Sequence, residues 1–214
     1  MVAENLVIGQ YTSGADSNGK KHDGYLDDKT TADDSIAHTY CCQVMFINND
    51  RWRGVPIIIN AGKALNCATS TATIQFKQSS LTQKLFTTAK RDELVIDVLK
   101  SNIMLRMNVK APGLTESPIQ SEFDLLSSTS QQMAATPSAY ERVLLDVLRG
   151  DNSLFVSDKE QDSMWNVVES AINYVEKNKI KPEKYEFGSG GPQKAAELIN
   201  RYDVQWSGDL KTLQ

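Results

Sequence analysis

The chain has 214 residues, 40% of them hydrophobic and 23% charged, with a formal net charge of -4. Those proportions are ordinary for a globular protein, and without a basic field nucleic acid is not an expected partner. No apolar run reaches the roughly 20 residues of a bilayer span, and no charged-then-apolar leader opens the chain, so neither a membrane nor a secretory route is expected.

Leu6 to Tyr11 reads as a short strand ending in Gly9-Gln10-Tyr11. Residues 12–35 are polar, with Gly14, Gly19 and Gly24, and predict a long exposed loop. Asp27 and Asp28 lie in it as neighbours that diverge in direction, with no burial to tune them, so no acid–base role is assigned to them. His38 to Asn48 alternates with apolar residues on both faces, which predicts a central strand covered on two sides.

The run Arg51-Trp52-Arg53-Gly54-Val55-Pro56-Ile57-Ile58-Ile59-Asn60-Ala61-Gly62-Lys63-Ala64-Leu65-Asn66 reads as a turn, a strand, and a lysine beside a glycine. Pro56 suits the first position of a strand, where no ladder donor is needed. Gly62, lacking Cβ, allows a sharp turn or a close approach. Lys63 therefore leaves the end of a regular element, a mount that holds an anion contact well.

Further strands are predicted at 71–77, 93–98, 103–110 and 122–126. In the third, Ile103, Leu105, Met107 and Val109 face one way and Arg106, Asn108 and Lys110 the other, as in a half-exposed antiparallel strand. After residue 130 the period becomes helical. Pro137 suits a first turn, Tyr140, Val143, Leu144, Val147 and Leu148 form one stripe, and Gly150 closes the helix. Ser157 and Glu160 form a capping box for the next helix, whose buried stripe is Trp165, Val168, Ile172 and Val175. Pro192 opens a short helix through Arg201, and the tail ends near Trp206.

Strands first and helices after argue for an α+β fold: a large, mostly antiparallel sheet with helices packed on one face, in a single domain over residues 1–214. The three cysteines, Cys41, Cys42 and Cys67, are odd in number and partly adjacent. They form neither a disulfide framework nor a metal spacing, and reduced thiols are expected.

The Arg-Trp-x-Gly-Val-Pro run with Gly62-Lys63-Ala64-Leu65 resembles the signature of the glucose-6-phosphate dehydrogenase family. The resemblance continues in order through Lys110-Ala111-Pro112-Gly113, Ser121-Glu122-Phe123-Asp124-Leu125, Tyr140-Glu141-Arg142, Trp165 and Gly188-Ser189-Gly190-Gly191-Pro192. It covers the family's C-terminal domain only, from about Leu6 to Trp206. The segments Val7-Ile8-Gly9-Gln10-Tyr11, Asp27-Asp28-Lys29-Thr30 and Val204-Gln205-Trp206 look most like plant plastid forms, which implies a plastid, with the cytoplasm as alternative.

That resemblance implies an NADP-dependent oxidation of glucose 6-phosphate in the whole protein. The family's N-terminal Rossmann domain, with its glycine-rich loop and catalytic histidine, is not in this chain, so no catalytic residue and no metal ligand is assigned. His22 and His38 are read as structural. Lys63 matches the family's substrate-phosphate lysine. Arg106 and Asp124 lie near its second nucleotide site, and a dimer through the sheet is implied, as homodimer or as heteromer with an active subunit.

Several positions depart from the family pattern. Asn60 stands where Arg or Lys is usual; Cys67 to Thr73 replace a charged run; Asp97 and Leu99 replace an arginine and a glutamine; Gly190 replaces an arginine. Each change removes a cation or polar donor from a phosphate-binding surface, while the hydrophobic framework stays. Losing two contacts of about 1.5–3 kcal/mol each would weaken binding by roughly two to four decades. An alternative expectation is therefore a catalytically inactive relative kept as a regulatory or interaction subunit.

Overall fold

Strand β4 (Tyr40–Met45) forms where alternation is strongest, and it lies inside its sheet as the two-sided pattern requires. The computed structural model describes residues 3–114, 117–125 and 137–204. Its elements in chain order are β1 (Leu6–Thr12), β2 (Gly14–Ala15), β3 (Lys21–His22), a 3-10 turn (Tyr25–Asp27), β4, β5 (Ile57–Gly62), β6 (Thr71–Gln75), α1 (Ser80–Leu85), β7 (Glu93–Asp97), β8 (Asn102–Lys110), β9 (Pro118–Asp124), α2 (Ala139–Arg149), α3 (Asp158–Asn178), β10 (Glu183–Glu186) and α4 (Gln193–Asn200). The chain divides into two compact units, Met1–Ala68 with Asp162–Gln214, and Thr69–Gln161. The architecture is α+β with mostly antiparallel sheets.

The first unit carries a four-stranded sheet in the order β10-β1-β4-β5. Its β1–β4 and β4–β5 pairs are antiparallel, and β1–β10 is parallel. Tyr40, Cys42 and Val44 point to one face, where Tyr185 of β10 and Ala195, Leu198 and Ile199 of α4 complete the core. On the opposite face Ile8 and Gln10 are also buried. The Gln10 amide donates to the carbonyls of Ser35 at 3.0 Å and Ala37 at 2.8 Å, and its oxygen accepts from Lys184 Nζ. A buried amide with its groups paired is a pin rather than a cost, and here it fixes the chain entering β4.

Residues 12–35 are more ordered than the predicted loop. They contain the β2–β3 ribbon and the 3-10 turn. Asp16 accepts from the amides of Asn18 and Lys20 and pairs with His22, whose ring stacks on Phe187 at 4.2 Å. Asp27 Oδ2 accepts from Gly24 N, and Asp28 accepts from the amide and hydroxyl of Thr30. The paired aspartates thus hold turns, in keeping with side chains that bond their own backbone a few residues away.

The second unit carries a sheet in the order β6-β7-β8-β9, with every pair antiparallel. One face is apolar, with Ile74, Leu94, Leu105 and Phe123 in line across the four strands. The other is polar, and here the expected half-exposure is reversed. Glu93 and Asp97 are among the most buried residues, whereas Ile74 and Phe123 are 44% and 46% exposed. Glu93 tolerates burial because Gln75 Nε2 donates to it at 2.7 Å and Arg106 pairs with it.

Helix α2 begins at a Ser138 cap with Glu141 closing the box, so Pro137 precedes the cap instead of opening the first turn. It ends at Gly150 with φ 71°, a left-handed cap suited to glycine. Ser157 Oγ accepts from Glu160 N at the start of α3. The α3 stripe is buried only in its second half, at Ala171 and Val175, and Trp165 is 60% exposed, contrary to the expected stripe. Periodicity shows which face of a helix is apolar, but not which turns of that face have a covering neighbour. The predicted strand 122–126 is found two to four residues earlier, as Pro118–Asp124, because β9 pairs with β8 from Met104 to Lys110; its expected last residue, Leu126, and the tail at Gln205 and Trp206 lie outside the described residues.

Candidate functional site

The turn before β5 is held by its own polar groups. Asn49 Oδ1 accepts from Trp52 N at 2.8 Å, Asp50 pairs with Arg53 at 2.8 Å, and Val55 N donates to the Trp52 carbonyl at 3.0 Å. Pro56 then precedes Ile57, and β5 runs along the edge of its sheet. A Cβ on Gly62 would stand 2.5 Å from Cδ2 of the buried Tyr40 ring, and one on Gly191 would stand 2.6 Å from its Cε2. The close approach anticipated at Gly62 is therefore to Tyr40, whose ring lies between two glycines.

Lys63 follows directly and its side chain is exposed. Among the described residues no carboxylate pairs with it. Its backbone is held at both ends. Lys63 N donates to the Thr39 carbonyl at 2.9 Å, and Lys63 O accepts from Tyr185 Oη at 2.8 Å. Ala64 adopts a left-handed φ of 55°, unusual outside glycine, and its carbonyl accepts from Gly188 N at 2.8 Å. Leu65 bridges to Ser189, and Asn66 N donates to Ser189 O at 2.9 Å. The Gly188-to-Pro192 loop thus clamps the turn that carries Lys63. Strain of this kind persists where surrounding contacts enforce it.

Asn60, three residues before Lys63, shares a face with Tyr40. Its Oδ1 and the Tyr40 hydroxyl are both buried, and neither has a partner of full hydrogen-bond geometry. Burial pushes the Tyr40 phenol up, with the nearby Cys42 and Cys41 thiols adding to it and the Asn60 amide easing it. Asn60 therefore sits against the core, where it presents no cation beside Lys63.

Tyr185 is buried within the same unit. Burial raises its phenol pKa, and the Thr39 hydroxyl lowers it in part. Nothing in the local sequence Glu183-Lys184-Tyr185-Glu186 marks this tyrosine or the strand that holds it; the one available signal is an aromatic residue in a polar run.

Arg106 and Asp124 belong to the second unit, on the polar face of its sheet. Arg106 Nε donates to Glu122 Oε1 at 2.7 Å and Nη1 to Glu93 Oε2 at 3.4 Å. The guanidinium side chain is only 14% exposed. Asp124 stands opposite Met104, one pleat along on the same face, and accepts from Asn102 Nδ2 at 3.4 Å. Asp97 is turned to the start of the β7–β8 connection, where it accepts from Lys100 N at 2.9 Å and pairs with Lys100 Nζ at 3.6 Å. Leu99 is exposed. A nucleotide phosphate needs fixed donors that are not already engaged, and on this face acids outnumber the one arginine.

His22 lies beside Asp16 as a ring that stacks and pairs, and His38 is exposed. No group of three or more His, Cys, Asp or Glu side chains able to hold a metal occurs among the described residues, and no described helix is long and apolar enough to cross a membrane.

The family model described as "Glucose-6-phosphate dehydrogenase, C-terminal domain" matches residues 1–207. The chain is 40% identical over 213 residues to the chloroplastic glucose-6-phosphate 1-dehydrogenase 1 of Arabidopsis thaliana, covering 97% of this chain and 36% of that protein. It is 40% identical over 198 residues to the glucose-6-phosphate 1-dehydrogenase of Dictyostelium discoideum, covering 92% and 39%. Among solved structures, a glucose-6-phosphate dehydrogenase in complex with its substrate glucose 6-phosphate superposes with a TM-score of 0.80 at 35% identity, over 95% of this chain and 41% of that one. The chain thus spans about two fifths of the length of the relatives it matches. From the clamped lysine turn to the two sheets, it belongs to the glucose-6-phosphate dehydrogenase family, as the C-terminal domain of such a protein.

Proposed function

We propose that this chain is the substrate-side and pairing domain of a protein that oxidises glucose 6-phosphate with NADP, with hydride transfer carried by a separate nucleotide-binding domain. Lys63 contacts the substrate phosphate. The observation that carries this reading is an exposed lysine, free of any carboxylate partner among the described residues, on a backbone bonded at both its N–H and its carbonyl. Similarity to a chloroplastic relative supports a plastid setting. The test is calorimetric titration with glucose 6-phosphate and with glucose. Preferential binding of the phosphorylated sugar, lost in Lys63→Met, supports the reading; equal or absent binding of both overturns it.

A second reading concerns the nucleotide surface. Arg106 is held between Glu93 and Glu122, and Asp97 replaces a cation. This favours a chain in which the second nucleotide site is not retained, as in a regulatory or inactive partner. Pairing with a second copy or an active subunit would use the apolar face of the second unit's sheet, where Ile74, Ile119 and Phe123 are exposed. Sedimentation of the chain with and without Phe123→Lys tests the pairing: a dimer that the charge dissociates is the expected result.

A further inference from the structure

We propose that Tyr185 is a positioning residue for Lys63, acting through a chain of hydrogen bonds that runs from β1 to the lysine carbonyl. The inference rests on the reading of Lys63 as a phosphate contact. Tyr11 N is a donor only, and it donates to Thr39 Oγ1 at 3.1 Å. The Thr39 hydroxyl is then free to donate to Tyr185 Oη, 2.9 Å away. The Tyr185 hydroxyl in turn donates to Lys63 O at 2.8 Å, with the Thr39 carbonyl as a second, longer acceptor at 3.3 Å. Each hydroxyl gives one proton and receives one, so all three bonds form together and polarise one another.

The same threonine reaches Lys63 a second time, because its carbonyl accepts from Lys63 N at 2.9 Å. One residue thereby sets both the amide and, through Tyr185, the carbonyl of the lysine. The arrangement answers a specific need. Lys63 lies just past the end of an edge strand and its side chain has no carboxylate partner among the described residues, so the direction of its ammonium is set by its own backbone. Tyr185 is 5% exposed, which keeps water from competing for the carbonyl. Its ring is anchored edge-on against Tyr11 and tilted against Tyr40. A flexible lysine fixed this way loses less freedom when an anion binds.

The test compares Tyr185→Phe, which keeps the ring, with Lys63→Met and wild type in the whole chain. Two quantities are read: amide hydrogen exchange at Lys63, with Val44 of the core as internal reference, and calorimetric titration with inorganic phosphate and glucose 6-phosphate. In Tyr185→Phe, exchange at Lys63 is expected to rise about three- to tenfold with Val44 unchanged, and both ligands to bind about three- to tenfold more weakly, the scale of one hydrogen bond. Should Tyr185→Phe unfold the chain, Thr39→Val and Thr39→Ser replace it: the valine variant should behave as described and the serine variant should restore wild-type values. If Lys63→Met abolishes phosphate binding but Tyr185→Phe and Thr39→Val change neither quantity, the positioning role is overturned while the lysine site stands. If Lys63→Met leaves binding unchanged, the site itself is overturned, and the positioning role with it.

Discussion

The buried hydroxyl of Tyr40 and the buried side-chain oxygen of Asn60 lie on the same face of adjacent strands, and neither has a hydrogen-bond partner of full geometry. A polar atom removed from water without compensation costs about 1–3 kcal/mol. Tyr40→Phe deletes one such atom and keeps the ring that Gly62 and Gly191 accommodate. The variant is expected to be more stable by about 1 kcal/mol, seen as a higher urea midpoint with an unchanged slope. A lower midpoint would mean that the hydroxyl is satisfied in solution.

Glu93 and Arg106 form a strongly buried ion pair, with side-chain exposures of 2% and 14%. Removing one partner strands the other, so Arg106→Met should cost about 3 kcal/mol. The double replacement of Glu93 and Arg106 by leucine should recover most of that loss, since an apolar pair of similar volume carries no desolvation penalty. Urea unfolding of these two variants beside wild type measures the loss and its recovery. Equal effects of the single and double changes would show that Gln75 and Glu122, not the pair itself, stabilise this face.

Asp16 offers a pH test. Its carboxyl is held below the usual carboxylate range, first by the His22 side chain and then by the Lys20 amide. A depressed carboxylate contributes stability above its unfolded value, 3.8, and loses it as pH falls through the native value. The β2–β3 ribbon should therefore loosen in acid before the sheets do. Amide protection at Asn18, Lys20 and His22, followed between pH 6 and pH 3, should fall in wild type, whereas Asp16→Asn should lack this acid step and be loosened throughout. Identical acid profiles in the two proteins would contradict the assignment.

The thiols should differ in reactivity. Burial, with a smaller addition from Cys41, pushes the Cys42 thiol up to about 12, and burial also raises Cys41. Thiolate is the reactive form. Brief alkylation at neutral pH, read by mass spectrometry, should modify Cys67 first, Cys41 slowly and Cys42 only after unfolding. Early labelling of Cys42 would contradict the burial of that face of β4.

How much of this was legible follows from where each signal resides. β4 and α2 were readable because their evidence is local: alternation between Tyr40 and Met45, and an apolar stripe with a glycine stop at α2, although the Ser138 cap was passed over for Pro137. β10 was not, because Glu-Lys-Tyr-Glu has no strand pattern of its own and becomes a strand by pairing in parallel with β1. Helix α1 spans only Ser80–Leu85, too short for a periodic signal. The buried polar face around Glu93 reverses the usual rule because charge and amide partners arrive from neighbouring strands that no single segment reveals. At the site the contrast is sharper. Lys63 was legible from Gly-Lys beside a strand. Tyr185, 122 positions away, was not, because its role is a contact and not a motif.

The most direct test of the central claim, that this domain keeps the substrate-phosphate contact at Lys63, is to map backbone amide shifts while glucose 6-phosphate is added to the intact chain. The expected result is a set of shifts confined to Lys63, Ala64 and Leu65 and to the clamping residues Gly188 and Ser189, absent in Lys63→Met. Shifts centred on Arg106 and Asp124, or none at any concentration with the chain folded, would contradict it.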